Sequence, residues 1–494
     1  MTESTHTKLT FQHWLVIIIA SIGFLFDTYQ LLMTPLAGPQ AISELLKVPL
    51  SNPAVSDWMG RLLWMTALCG GIFGLLGGWL IDRLGRKFVM ALGIFIYSLS
   101  PVAGAFAPTL QSFVFWRCVT FVGVCIEFVA AITWIAEVFT DKVQKERWLG
   151  ITQAFASLGG VTVTWINLWI IAHGKDIGHL GLPVTAGATD PASWRYLMLS
   201  GVLPAIPIAL MLPFVPESQI WREKKKAGTL KRPSFAALFS PELRRVTLVT
   251  AALSACAYGV AFGALQLTPG RIAPGLPNLA EERKVLKPLQ DEAKVLNAKL
   301  DATQIGTPER AAAMGPLKAN GGKQKPLLDK VKEFGSHAQA YQETGGLVGR
   351  IVLALLIIVG LGRRTLLRLL QVPGLIILPL TYLVLYKQDA SVFYWGMAAA
   401  GFVTTSQFSF LGEYMPKMFP LHLRGTGGSF ATNVGGRMIG TSAAFLTANV
   451  VAPMFKGSPF DQMAQAAGWV GLGIVILSLV FGSLLPEPKD ENLD

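Results

Sequence analysis

A few ionisable residues stand inside long apolar stretches, and the chemistry open to them there is proton transfer and anion binding. Asp27 lies in Gly23-Phe24-Leu25-Phe26-Asp27-Thr28-Tyr29-Gln30, and Glu127 ends Gly123-Val124-Cys125-Ile126-Glu127. A carboxylate in such surroundings is costly unless paired or hydrated, so by default it marks a proton or substrate pathway. Arg117 precedes Glu127 in the same stretch. Counted at the helical rise, Asp27 lies about 14 Å and Arg117 about 10 Å from one membrane surface, depths compatible with an ion pair. A permanent pair would only orient two helices. Glu127, deeper, is either a second proton carrier or a protonated acid hydrogen-bonded to a backbone carbonyl.

Two further arginines, Arg350 and Arg437, interrupt apolar stretches later in the chain. A buried guanidinium seeks a carboxylate or phosphate, so both could clamp a substrate anion or simply pair with carbonyls and a helix end. The structural alternative leads for Arg437, which is near a segment end, whereas Arg350 is the more central. Tyr29, Trp134, Gln153, Tyr258, Gln407 and Asn433 are the remaining groups placed to line a substrate cavity.

The elements that must position these residues are membrane helices. The chain of 494 residues is 52% hydrophobic and 15% charged. A bilayer core about 30 Å thick needs about 20 apolar residues per helix. Twelve such blocks run at 12–36, 59–80, 88–107, 110–139, 148–172, 194–215, 245–268, 344–361, 369–386, 392–415, 427–451 and 465–485. The first is longer than a secretory h-region and has no small-residue cleavage site, so it is expected to remain as a helix. A net charge of +12 suggests nucleic acid only until its distribution is followed. Basic residues crowd alternate loops, as the positive-inside rule requires, which excludes nucleic acid and puts both termini in the cytosol. The four cysteines fall in apolar blocks, the six histidines at helix ends or loops, and no Gly-Lys-Ser/Thr segment appears. No metal, cofactor, catalytic constellation or ATP-driven step is expected.

Several loop signals occur twice. Gly85-Arg86-Lys87 returns as Gly362-Arg363-Arg364, Glu137 with Arg147 as Glu413 with Arg424, and Pro216-Glu217 as Pro486-Glu487. The spacing of roughly 270 to 277 residues implies two six-helix halves of one design. In the second copy Val359 replaces the acid Asp82. The first loop, Gly78-Trp79-Leu80-Ile81-Asp82-Arg83-Leu84-Gly85-Arg86-Lys87, resembles the motif between helices two and three of the major facilitator superfamily. That resemblance, over nearly the whole chain, implies an all-α membrane protein with twelve transmembrane helices in two six-helix halves.

It also implies roles. Gly78, Asp82, Arg83, Gly85, Arg86 and Lys87, with Glu137, Arg147, Glu217, Arg363, Arg364, Glu413 and Arg424, correspond to a cytosolic gating network. An acid in helix one and an arginine early in helix four resemble features of proton-coupled sugar and metabolite symporters. On that likeness Asp27, Arg117 and Glu127 would couple proton uptake to transport. Gly159-Gly160 lacks the proline that follows in drug/proton antiporters, which lowers the case for efflux. Ala255-Cys256-Ala257-Tyr258-Gly259 replaces the paired glutamines of sugar porters, which leaves organic anions ahead of hexoses.

The expected organisation is a first half at 1–215, a cytosolic linker at 216–244, a second half at 245–485 and a short tail at 486–494. An insertion at 269–343 is placed outside and read as a small helical cap. Its helix at Leu279 to Leu300 is expected to be interrupted near Pro288. Breaks at Gly315-Pro316 and Gly321-Gly322 should precede a second helix at Leu327 to Phe334. The insertion has no Asn-x-Ser/Thr sequon, which fits a bacterial inner membrane. The function expected is import of a small organic solute (organic anion, sugar acid or sugar) by proton symport through alternating access. Its partners are the substrate, protons and the bilayer, and the working unit is a monomer. A facilitative uniporter or exporter, and a non-transporting sensor using the insertion, are the alternatives.

Overall fold

The computed structural model describes residues 9–486 except 49, 51, 140–141, 175, 185–189, 216, 219–221, 224–225, 228–234, 302–307, 360 and 420–422, with some further side chains inside helices also outside the description. Each of the twelve apolar blocks is helical over most of its described residues. The first half comprises α1 (Phe11–Leu46), α2 (Pro53–Leu84), α3 (Arg86–Ala105), α4 (Leu110–Val138), α5 (Lys142–His173) and α6 (Ser193–Leu199). The span begun by α6 continues through a 3-10 turn into Ala205–Met211. The second half comprises α7 (Arg244–Gly263), α8 (Ala280–Asp301), α9 (Pro308–Ile358), α10 (Arg363–Pro379), α11 (Ala390–Met418), α12 (Arg424–Phe430) and α13 (Pro459–Ser483). After α12 the chain continues as wide π-helical turns at Ala431–Gly440 and Leu446–Val451.

Large apolar side chains such as Trp165, Trp395, Leu210 and Ile376 face outward, an outer surface suited to lipid rather than water. The interior is divided unevenly. At the end of the bundle bearing the insertion, one hydrophobic core takes Met33 and Leu62 from the first half together with Leu265, Ile272, Phe393 and Ala448 from the second. At the opposite, arginine-rich end the halves have separate cores. Phe24, Ile94, Val129 and Trp134 build one, and Leu253, Leu366, Phe410 and Tyr414 the other.

Glycine makes the closest helix crossings possible. A Cβ on Gly159 of α5 would stand 1.8 Å from the Leu25 carbonyl oxygen of α1, and one on Gly345 of α9 would stand 1.9 Å from that of Ala398 on α11. No other residue fits there without separating the backbones.

The insertion differs from the expectation. α8 runs unbroken through Pro288, and α9 is a single helix of 51 residues passing through Pro316 and Pro326 as well as Gly315 and Gly322. The second arm of the insertion is therefore the extension of the eighth span. Prolines and glycines cost helical stability, but pairing of the two arms offsets it. Asn320 Nδ2 donates to Glu292 at 2.7 Å, Gln324 Nε2 to the Leu289 carbonyl at 3.0 Å, and Lys330 pairs with Glu282. The extension also reaches the first half. Lys325 pairs with Asp190 at 2.9 Å, Lys332 Nζ donates to Ser193 at 2.9 Å, and Asn167 Nδ2 donates to Ser336 at 2.7 Å.

An unbroken α9 makes a prediction at its glycines. A Cβ on Gly315 or Gly322 meets open space, so Gly322→Ala is expected to stabilise the hairpin by about 0.5–1 kcal/mol. Gly159→Ala should instead destabilise by about 1–3 kcal/mol or more. Thermal unfolding in detergent and protease resistance of the hairpin check both.

Candidate functional site

The centre of the bundle is built from α1, α4, α7, α9 and the π-helical continuation of α12. Asp27 of α1 and Glu127 of α4 are both buried and face one another, and neither accepts a hydrogen bond from any other described group. Glycines create the space. A Cβ on Gly23, one turn before Asp27, would stand 2.2 Å from a Glu127 carboxyl oxygen, and one on Gly93 of α3 would stand 2.9 Å from Glu127 Cβ. The Tyr97 hydroxyl of α3 lies within electrostatic reach of both acids.

The cation that answers these acids is Arg437, from the second half. Its Nη1 donates to Asn433 Oδ1 at 3.0 Å, and its guanidinium lies 5.3 Å from the Phe128 ring centroid, placing it beside α4. Its charge acts on Asp27 and Glu127 alike. Asn433 is itself pressed on Gly74 of α2, where a Cβ would meet its side chain at about 3 Å. Tyr258 of α7 adjoins Arg437 and Arg350 both. It stacks on Phe262 at 6.0 Å and meets Phe408 edge-on at 4.9 Å. Beyond Arg350 comes Glu343 of α9, whose Oε1 accepts a hydrogen bond from Gln342 Nε2 at 2.8 Å and whose other oxygen lies against Gly160 of α5. Electrostatic reach thus links Asp27 and Glu127 to Arg437, Arg437 to Tyr258, and Tyr258 and Glu343 to Arg350.

The expected pairing of Asp27 with Arg117 is corrected. Arg117 is fully buried, but its Nη2 donates to the Gln30 carbonyl at 2.7 Å and to Thr34 Oγ1 at 2.5 Å, with Met33 Sδ 3.8 Å from Nη1. Those groups lie about 5–10 Å along α1 from Asp27, toward the insertion end. There Pro35 removes one ladder hydrogen bond, and the guanidinium donates to the same stretch.

Three further expected cavity residues contact groups of their own half. The Tyr29 hydroxyl meets Ser200 Oγ at 2.5 Å. Gln407 donates to the Val403 carbonyl at 3.1 Å and accepts from Ser478 at 3.4 Å. Trp134 belongs to the first-half core. Tyr258, Arg350 and Asn433 are central, whereas the Gln153 side chain lies outside the described residues.

At the arginine-rich end, Gly85 adopts a left-handed φ of 96° and turns α2 into α3. The first amides of α3 then need acceptors. Glu217 supplies them, accepting from Arg86 N at 3.0 Å and Lys87 N at 3.2 Å, a carboxylate at a helix N-terminus. Arg86 Nη2 pairs with Glu137 at 2.8 Å, and Ser218 Oγ donates to the other Glu137 oxygen at 2.5 Å. These ties join α3, α4 and the segment after the sixth span, all within the first half. In the second half Arg364 Nε donates to the Leu485 carbonyl at 2.7 Å, and Arg363 opens α10 beside it. The surroundings of Gly78, the side chains of Asp82, Arg83, Arg147, Glu413 and Arg424, and all of Pro216 and Glu487 lie outside the described residues.

Two residues escaped sequence reasoning. Glu343 stands at the edge of the run expected as a polar insertion, although it precedes Arg350 by two helical turns of α9. Arg271 also lay within that presumed loop. It is fully buried, donates to the Leu50 carbonyl at 2.8 Å and to Ser56, and so ties the second half to the α1–α2 connection.

Twelve helices in two halves around a buried polar centre define a membrane transporter rather than an enzyme. Residues 11–279 match the Major Facilitator Superfamily, and the chain belongs to it. Among curated relatives, the niacin transporter NiaP of Acinetobacter baylyi is 26% identical over 211 residues, which span 42% of this chain and 41% of that protein. The chain thus matches less than half the length of that relative. The cis,cis-muconate transport protein of the same organism is 23% identical over 418 residues, covering 83% of this chain and 79% of that protein. The partially occluded, inward-open xylose transporter XylE from E. coli superposes with a TM-score of 0.63 at 15% identity, over 98% of this chain and 100% of that one. That likeness concerns the fold.

The Arg86–Glu137 pair gives a stability prediction. The Arg86 side chain is 7% exposed and that of Glu137 20%. Glu137→Ala is expected to destabilise by about 1–3 kcal/mol, because it removes a charge-assisted partner from a buried guanidinium. Thermal unfolding of the purified protein measures it, and Glu137→Gln should cost less.

Proposed function

We propose that the protein imports a small organic carboxylate together with a proton by alternating access. The observation that carries this reading is the facing pair Asp27 and Glu127, buried in the first half and answered across the midline by Arg437 of the second. Two carboxylates so placed in a low-dielectric interior repel strongly, which suits a centre that takes up and gives away a proton. Protonation of the pair weakens its hold on Arg437 and so alters the attraction between the two halves. Coupling runs through Arg437, with Arg117 fixing α4 to α1.

Support for a carboxylate comes from the two arginines of the centre, Arg437 and Arg350, and from relatives named for niacin, cis,cis-muconate, benzoate and sialic acid. Support for proton coupling comes from the arabinose-proton symporter of Bacillus subtilis and the D-xylose-proton symporter structure. The arginine-rich end faces the cytosol of a bacterial inner membrane by the positive-inside rule. The protein works as a monomer, since the polar centre is assembled from one chain.

Reconstituted vesicles test the coupling. An inward proton gradient should drive accumulation of a carboxylate chosen from nicotinate, benzoate and cis,cis-muconate. Asp27→Asn should abolish accumulation but retain exchange of labelled for unlabelled substrate. Accumulation by that mutant at the unaltered rate would remove proton coupling at this pair.

A further inference from the structure

The α8–α9 hairpin is bound to both halves, and in different ways. It is seated on its own half: a Cβ on Gly335 of α9 would stand 2.2 Å from the Pro269 carbonyl oxygen, and Arg283 Nη1 of α8 donates to the Pro274 and Leu276 carbonyls at 2.8 and 2.7 Å. Its ties to the first half lie along one stripe. Lys325, Lys332, Ser336 and Glu343 follow at intervals of seven, four and seven residues, which keeps them on a single face of α9 over about 27 Å. In that order they meet Asp190 before α6, Ser193 at its start, and Asn167 and Gly160 of α5. Lys332 also pairs with Asp329 of its own helix at 3.0 Å. Beside this stripe only a crevice remains, walled by Leu36, Gln40 and Asn167 of the first half and Pro269, Lys332 and Ser336 of the second. The space open to the centre of a water there is about 20 Å³, room for about one molecule and too little for an organic solute.

We propose that the hairpin is an external clasp. Moving with the second half and fastened to the first through Lys325 and Lys332, it holds the outer mouth shut and so limits how often the protein opens outward. Each tie alone is modest, since exposed ion pairs and single hydrogen bonds shift equilibria by small factors. They act together, because α9 is one helix and α8 braces it through Asn320 with Glu292 and Lys330 with Glu282. Opening the outer mouth draws α9 away from α5, which breaks the ties in one movement and gives their polar groups to water. The ties form only when the outside is closed, so they bias the exchange between states without touching substrate. The inference rests on the alternating-access reading above, but not on the substrate or the proton.

Labelling of a cysteine in the crevice tests the clasp without substrate. In a chain whose four native cysteines are serine, Leu36→Cys places a thiol on the crevice wall, and a membrane-impermeant maleimide is added to intact cells. With the clasp unaltered the thiol should react slowly. Lys325→Gln should raise the rate by about two- to fivefold, and Lys325→Gln with Lys332→Gln by about tenfold or more, with the hairpin as resistant to protease as before. The single substitution falls on a side chain that is 35% exposed, so it gives an answer even where the double variant does not fold. An unaltered rate in folded variants overturns the clasp, as does faster labelling accompanied by cleavage within the hairpin, the mark of a merely structural role. If labelling rises as stated but an inward proton gradient drives no accumulation, the clasp stands and the coupling reading falls.

Discussion

A charge carried into the apolar centre of a helical bundle has to be answered by another group, and here the answers cross from one half of the protein to the other. Asp27 and Glu127 belong to the first half, and Arg437 to the second. Glu343 of the second half abuts α5 of the first. Desolvation makes each of these groups expensive alone, so the arrangement of the two halves and the ionic state of the centre are linked. The glycines serve the same constraint. Gly23, Gly93 and Gly160 are small where a carboxyl needs room, and Gly74 admits Asn433 beside the arginine that it orients.

The uneven hydrophobic interior sets this polar centre in context. At the insertion end both halves contribute to one core, and Arg271 bonds across to the α1–α2 connection. At the arginine-rich end each half has its own core, and the ties around Arg86, Glu137 and Glu217 stay within the first. The polar groups from Asp27 to Glu343 therefore lie between a region where the halves share apolar contacts and one where they are separately supported. Separation at the arginine-rich end sacrifices less buried apolar surface than separation at the other.

Much of the fold could be read from the chain, because length and apolarity of a span are one-dimensional properties. The twelve blocks, the repeat spacing and the acids Asp27 and Glu127 all depend on position along a helix. What the sequence lacked was direction around the helix. Depth placed Arg117 close to the level of Asp27, yet its guanidinium meets Gln30 and Thr34 further along α1, while Arg437 arrives from the other half. Tyr29 and Gln407 likewise have satisfied partners, Ser200 and Ser478, on helices far away in sequence. Glu343 was obscured by its neighbours, since the polar run before it hid the start of the eighth span. The breaks expected at Pro316 and Gly322 failed because pairing between α8 and α9 outweighs local preference.

The unbroken α9 has a mechanical consequence. Its 51 residues extend about 77 Å at the helical rise, of which about 53 Å lies between Glu343 and the Pro308 end. A rigid rod of that kind magnifies rotation. Tilting the inner turns by about 10° would swing a point about 40 Å along the rod by about 7 Å. The hairpin is thus a pointer whose far end reports, on a larger scale, the angle that the polar centre adopts.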